Sequence, residues 1–427
     1  GCSSLTSIKI PNSVTNIGND AFGGCSSLTS IEIPNSVTRI GEWTFSGCSS
    51  LTSIKIGNGV KSIGEWAFCD CSSLKSIEIP NNVTSIGDLA FLRCRGLKSV
   101  IIGNGVKSIG NDVFNDCTGL ANVIIGNSVS NIGVQAFLGC SSLTSIKIPN
   151  SVKSIGYYAF GNCSNLTSIE IPNNVTSIGG SAFVGCNKLE NIYFRSNPQI
   201  GNNAIPSTAK CHLILDDSNA TDFDITNANT YADVSYSRTI TEGKFGTIIL
   251  PFAPNAASLE NYAFFKLAEC GDGYMKFEEV TIPVANTPYI YTLREGKENV
   301  SIAGGETTIS STVETPVVDG WQTIGSFTNQ ALDTSNGNYY AFSPSKNEIN
   351  KITKKLTVLP YRAYFKSDNA SKSAFSVYIS GTTGVKEVLS SEIDGFETEV
   401  VYDLSGRKIL DPVKGGIYII NGKKVKF

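Results

Sequence analysis

Apolar residues in the first half of the chain return with a period of 23 residues. From Cys25 each unit reads C-S-S-L-T-S-I-x-I-P/G-N-S-V-T-x-I-G-x-x-A-F-x-G, with scattered substitutions. The L-x-x-I-x-I segment, as in Leu28, Ile31 and Ile33, alternates like a short strand with one buried face. Pro-Asn or Gly-Asn then breaks the strand and turns the chain. A second apolar pair, such as Val37 and Ile40, leads to a recurring glycine, and the Ala-Phe pair that follows predicts a bulky filler within a short helical turn. A unit this short cannot bury its apolar face alone and does so only against its neighbours. The period therefore predicts a leucine-rich-repeat solenoid of parallel stacked strands, about 4.8 Å apart, joined by short helical turns.

The same period places cysteines at 2, 25, 48, 71, 94, 117, 140, 163 and 186. Adjacent rungs are near disulfide range, but the Cβ vectors of an in-register stack run parallel rather than towards each other. A free cysteine is a small hydrophobe, so the column reads as core filler. Cys69-x-Cys71 is the one close pair, and no paired C-x₂-C units suggest zinc.

Residues between the inward positions of each strand face outward. The central outward column is Lys9, Glu32, Lys55, Glu78, Ile101, Ile124, Lys147, Glu170 and Tyr193, the candidate partner-binding row on the concave face. Alternating charges on neighbouring rungs favour a long parallel sheet by roughly 0.2–1 kcal/mol per pair. Ile101 and Ile124 interrupt the alternation and form an apolar patch between Glu78 and Lys147, which reads either as a contact site or as β-branched residues that simply suit a strand. Thr29, Ser30, Thr52 and Ser53 begin hydroxyl-rich flanking columns that repeat duplication explains. Asp70, Arg93 and Asp116 suggest a second charged ladder one residue before the cysteine. Trp43, Trp66, Tyr157 and Tyr158 lie on the returning side, where they could meet sugars or a partner, or pack against the neighbouring coil.

The string S-V-T-x-I-G-x-x-A-F-x-G-C-S-S-L-T-S-I-x-I-P-N closely resembles the BspA-like family of bacterial cell-surface leucine-rich repeats, over roughly residues 1–215. The resemblance implies a curved right-handed solenoid on a surface-exposed protein, often engaged in adhesion or host contact. The last unit decays, because Ile200 arrives one residue early and Ile205 stands where phenylalanine is expected. Residues 192–215 thus read as a C-terminal cap, with Cys211–Leu215 as its strand.

Beyond the repeats, residues 216–236 are polar and aperiodic and read as a linker. Residues 237–384 carry short strands punctuated by glycine, proline and asparagine, which predict an all-β sandwich. Phrases such as T-I-I-L-P-F-A and L-P-Y-R-A-Y-F look like a module that recurs beside repeats in Bacteroidetes surface proteins. Residues 385–427, with Y-D-L-S-G-R and G-I-Y-I-I, resemble a C-terminal sorting tail but are shorter than a full sorting domain, so they read either as that tail or as a small β unit packed onto the sandwich.

Composition narrows the function. The net charge of −3, with +3 in residues 1–210 and −6 after them, argues against a nucleic-acid binder. No apolar run is long enough to span a bilayer. The chain opens inside a repeat, so it reads as a cut from a longer protein whose signal peptide lies upstream. There is no G-x-S-x-G, H-E-x-x-H or phosphate loop, and His212 is the single histidine. The expectation is a non-enzymatic, cofactor-free and metal-free protein, secreted or on the cell surface. It would bind a protein or glycan partner, host extracellular material included, through the solenoid. The competing readings are a structural spacer and a carbohydrate-active β module.

Overall fold

The computed structural model describes residues 1–216, 223, 225–239, 245–293, 299–332, 337–343, 348–367 and 372–380, with four short strands between 401 and 426. The chain divides into two compact units, Gly1–Ile214 and Leu215–Phe427.

The first unit is a β-solenoid. One row of strands, including Ser30–Ile33, Ser53–Ile56, Ser76–Ile79 and Ser99–Ile102, stacks in parallel with residue i opposite i+23. A second row, including Ser85–Ile86, Ser108–Ile109 and Asn131–Ile132, repeats the arrangement on another side of the coil. The decayed unit is drawn into the same stack. Ile200 pairs with Ile178 at a spacing of 22, and Lys210–Asp216 pairs with Asn191–Phe194. A single coil shows how the period closes a core: Ala90, Phe91, Cys94, Leu97, Val100, Ile102, Val106 and Ile109 are all buried. The phenylalanines stack coil on coil, with centroids 5.0 Å apart for Phe68 and Phe91 and 5.4 Å for Phe91 and Phe114. All twelve cysteines are free, and those from Cys25 to Cys186 are buried.

The Ala-Phe side is not helical. Each coil there carries two residues in the left-handed region, for example Trp43 (φ 58°) and Gly47 (φ 69°), which interrupt any run of right-handed turns. Its backbone groups are satisfied between coils instead: the N–H groups of Asp20, Phe22 and Gly24 donate to the carbonyls of Glu42, Thr44 and Ser46. The glycine before this side, at 41, 64, 133 or 156, is needed for close approach. A Cβ on Gly133 would stand 2.5 Å from the Gly110 carbonyl oxygen.

The second unit is built on one ten-stranded sheet rather than the expected sandwich. Its order is Phe245–Ile249, Pro288–Leu293, Tyr262–Gly271, Tyr274–Val280, Ala374–Ser380, Glu348–Lys351, Tyr339–Ser343, Arg362–Lys366, Trp321–Ser326 and Val317–Val318. All described neighbours are antiparallel except Tyr274–Val280 with Ala374–Ser380. The sheet curls so that its first strand meets its eighth, the Ala363 N–H donating to Thr247 Oγ1 at 3.2 Å. Trp321, Tyr340 and Phe375 pack edge to face inside the curl. Alternation in sequence reports a buried face, not how many sheets share it, so sandwich and curled sheet read alike.

The segment read as a linker contains strand: Thr230–Tyr231 and Asp233–Thr239 pair with Thr307–Thr308 and Asn299–Gly304. The one α-helix among the described residues is Ala256–Leu259, capped by the Asn255 side chain, which accepts from the Ser258 N–H. Of the tail from 385, four short strands are described, Val401–Tyr402, Lys408–Ile409, Ile417–Ile420 and Lys423–Lys426, forming a small antiparallel sheet. Residues 385–400 lie outside the described residues.

Candidate functional site

Strand parity decides what the first unit presents. In Ser99–Ile102, Val100 and Ile102 point into the core while Ile101 between them is 42 % exposed; on the next rung Ile124 is 61 % exposed. Lys9, Glu32, Lys55, Glu78, Lys147 and Glu170 are exposed too, and Tyr193 is half-buried. Rung pairing brings neighbours of the column together: Glu32 lies opposite Lys55, Glu78 opposite Ile101, Ile101 opposite Ile124, and Glu170 opposite both Lys147 and Tyr193.

Charges along the row are unevenly compensated. Lys55 Nζ reaches Glu32 Oε1 at 2.7 Å, and Arg195 Nε reaches Glu170 at 3.2 Å. Both pairs are solvated and add little to stability. Glu78 and Lys147, which flank the isoleucines, form no ion pair among the described residues. The far end is closed by aromatic stacking, Tyr193 on His212 at 5.0 Å, with His212 Nε2 3.0 Å from Asn191 Oδ1.

Over the isoleucines lies a hollow of about 450 Å³, lined by Glu78, Ile101, Gly103, Ile124, Gly126 and Lys147 among others. Gly103 and Gly126 stand where neighbouring coils carry Pro80 and Pro149, so the turn beside the patch lacks the proline rings found elsewhere. An asparagine ladder fixes that turn: the Asn104 N–H donates to Asn81 Oδ1 at 2.8 Å and the Asn127 N–H to Asn104 Oδ1 at 2.9 Å. A second hollow of about 920 Å³ lies over Lys9, Glu32 and Lys55, rimmed by Pro34 and Pro80.

Other candidate features resolve differently. Threonines of the flanking column turn their hydroxyls to the coil before, as Thr52 Oγ1 does in donating to the Thr29 carbonyl at 3.0 Å. The second charged ladder is split: Arg93 approaches Asp70 at 3.8 Å, whereas Asp116 is approached by Arg95 at 3.9 Å. Asp70, Arg93 and Asp116 all have φ near 55°, the second left-handed position of the coil, where other repeats use glycine or asparagine. The burial of Cys69 and its hydrogen bond to Asp70 push that thiol up to about 12, which makes it an inert thiol rather than a nucleophile. No group of three or more potential metal ligands gathers among the described residues. Two contributors escaped the sequence reading, the asparagine ladder and Arg195. Arg195 was findable as the one break in a column otherwise filled by proline or glycine.

Comparison with protein families matches residues 1–121 and 107–226 to a model described as a BspA type leucine rich repeat region, in 6 copies. Among solved structures, a leucine-rich repeat protein from Bacteroides ovatus ATCC 8483 is 32 % identical, with 51 % of this chain and 70 % of that one covered and a TM-score of 0.39. A leucine-rich repeat protein of T. pallidum is also 32 % identical, covering 41 % of this chain and 72 % of that one, with a TM-score of 0.34. A leucine-rich cell-surface protein from Faecalibacterium prausnitzii A2-165 is 30 % identical over 45 % of this chain and 66 % of that one, at a TM-score of 0.28. Comparison with curated proteins finds no match.

Proposed function

Because this chain belongs to the BspA-type leucine-rich-repeat family, we propose that it is a secreted or cell-surface binding protein that holds a protein partner on the strand face of its solenoid. The observation that carries the reading is the patch at Ile101 and Ile124. Two large apolar side chains stand in water at the middle of a charged row, flanked by a carboxylate and an ammonium that are both free to pair outward. Desolvated apolar anchors within a polar rim are the usual source of affinity at protein interfaces. Glu78 on one side and Lys147 on the other give the site a polarity, so the partner fits in one direction, a basic group over Glu78 and an acidic one over Lys147. Rigid parallel rungs hold the row at fixed spacing, which limits the entropy lost on binding.

A printed panel of purified extracellular proteins, probed with the whole chain and with the Ile101→Lys/Ile124→Glu variant, tests this. The variant extends the charge alternation at exposed positions, so the solenoid remains folded. Binding should fall at least tenfold, which is about 1.4 kcal/mol. Unchanged binding to every protein captured by the parent chain would remove the patch from the interface.

A further inference from the structure

Trp43 and Trp66 occupy the same position in adjacent coils, on the side of the solenoid that carries the turns. Their rings stack with centroids 4.6 Å apart and planes 6° from parallel. Both residues lie in the left-handed region, at φ 58° and 56°, where a bulky side chain is a rare choice. The same position elsewhere is Asp20, Leu89, Asp112, Gln135, Tyr158, Ser181 or Asn203, so the column mixes polar residues suited to that backbone with two other bulky ones, and Leu89 stands on the rung after Trp66. Core burial does not account for the pair. Trp43 is 41 % exposed, while Thr44 and Phe45 beneath it already seal the coil.

The surroundings are acidic. Asp20 stands one rung before Trp43 in the same column, and Glu42 and Glu65 directly precede the two tryptophans. Glu42 is taken up by Arg39 at 3.4 Å. The Asp20 and Glu65 side chains have no hydrogen bond or ion pair among the described residues. The face of Trp43 turned away from Trp66 lies towards Asp20, a short side chain whose carboxylate is able only to accept hydrogen bonds. The aromatic pair further along, Tyr157 and Tyr158, meets edge to face at 4.4 Å and offers no such flat surface.

A flat indole beside an unpaired carboxylate suits an organic cation or a sugar; cations are gripped by cages of several rings, whereas this pair is stacked flat, which favours the sugar. A pyranose presents an apolar C–H face that packs on an aromatic ring, with hydroxyls around its edge that donate to acceptors. Carboxylates repel sulfated, sialylated or uronic-acid chains, and the nearby guanidinium of Arg39 is already engaged. We propose that the outer face of Trp43, backed by the stacked ring of Trp66, carries a pyranose ring of a neutral glycan, with Asp20 accepting from its hydroxyls. This is a second site, on a different side of the coil from the isoleucine patch.

Tryptophan emission reads the site directly. The chain has three tryptophans, and the third, Trp321, is only 5 % exposed. Titrating the whole chain with soluble mannan, β-glucan, xylan and galactan should give a saturable change in emission with at least one of them, and none with heparin. Trp43→Asn/Trp66→Asn, which installs a residue suited to the left-handed backbone, should keep the fold by circular dichroism. Its affinity for the same polymer, measured by calorimetry, should fall at least tenfold. Ile101→Lys/Ile124→Glu should leave the glycan titration unchanged, which separates this site from the protein-binding face. Silence with all four neutral polymers, binding to heparin alone, or full retention of neutral-glycan binding by the double asparagine variant would overturn the assignment.

Discussion

The thiol of Cys71 donates a hydrogen bond to the carbonyl oxygen of Phe45, 3.2 Å away in the preceding coil. The relationship recurs for Cys94 with Phe68, Cys117 with Phe91, Cys140 with Phe114 and Cys163 with Phe137, at 3.1–3.2 Å. The same carbonyl also accepts the N–H of the cysteine three residues on in its own coil. Alanine would fill part of that space but could not reach the carbonyl's second lone pair. The column is thus a core filler that also ties each coil to the one before.

The thiols bear on alkaline stability. Burial is the main cause that raises those in the middle of the array, to about 11 at Cys48 and upward at Cys94 and Cys117 as well, whereas the hydrogen bond with Cys163 lowers Cys186. Unfolded thiols ionise near pH 8.5–9, so the raised native values contribute stability in full below that range. It is lost as pH climbs from about 9 through 11, because the unfolded chain releases those protons first. The urea midpoint should therefore hold level to about pH 8 and fall above 9. Thiol reagent at pH 8 should label the exposed Cys2 in the native protein, and Cys25 to Cys186 only after denaturant is added. A flat midpoint up to pH 11, or a denatured thiol count far below twelve without reductant, would contradict free buried thiols.

What the sequence made legible follows from periodicity. Twenty-three residues repeated in register determine which side chains share a column, and that fixed the inward set from Ala90 to Ile109 and the outward row through Ile101. The turn side was misread because Ala-Phe resembles a helical fragment. The deciding residues are the left-handed pair in each coil, and Trp43 or Arg93 carries no propensity that announces it. Contacts between side chains of unlike columns were hidden as well. Asp116 pairs with Arg95 rather than Arg93, and Arg195 with Glu170, because both depend on reach across rungs rather than on position in the repeat. In the second unit nothing repeats, so strands could be found but not counted into sheets.

The phenylalanine column should govern how the solenoid unfolds. Phe114 is fully buried, stacked between Phe91 at 5.4 Å and Phe137 at 5.3 Å. Phe114→Ala removes a ring from the middle of the array, and the rigid coils on either side limit collapse into the gap. A loss of about 3–5 kcal/mol is expected. Since repeats couple mainly to nearest neighbours, the transition should also broaden or split when followed by circular dichroism against urea. A loss below about 1 kcal/mol would mean that the ring is not a structural filler.

Close approach, not backbone conformation, should explain the recurring glycine before the turn side. A methyl group at Gly133 would stand 2.5 Å from the carbonyl oxygen and 2.6 Å from the carbonyl carbon of Gly110, both backbone atoms of the neighbouring coil. At Gly18, the same position in the first coil, residues 1–427 hold no earlier coil to stand against it, and an added carbon meets nothing within 4 Å. Neither glycine has positive φ, so alanine fits the local backbone at both. Gly133→Ala must push two coils apart or bend them, an overpacking cost of about 1–3 kcal/mol. Gly18→Ala should be neutral or gain up to roughly 1 kcal/mol, because alanine restricts the unfolded chain. Urea midpoints of the two variants, measured side by side, decide the matter. Equal losses would place the requirement in the turn's own conformation, and no loss at Gly133 would show that the coils have room the structure does not give them.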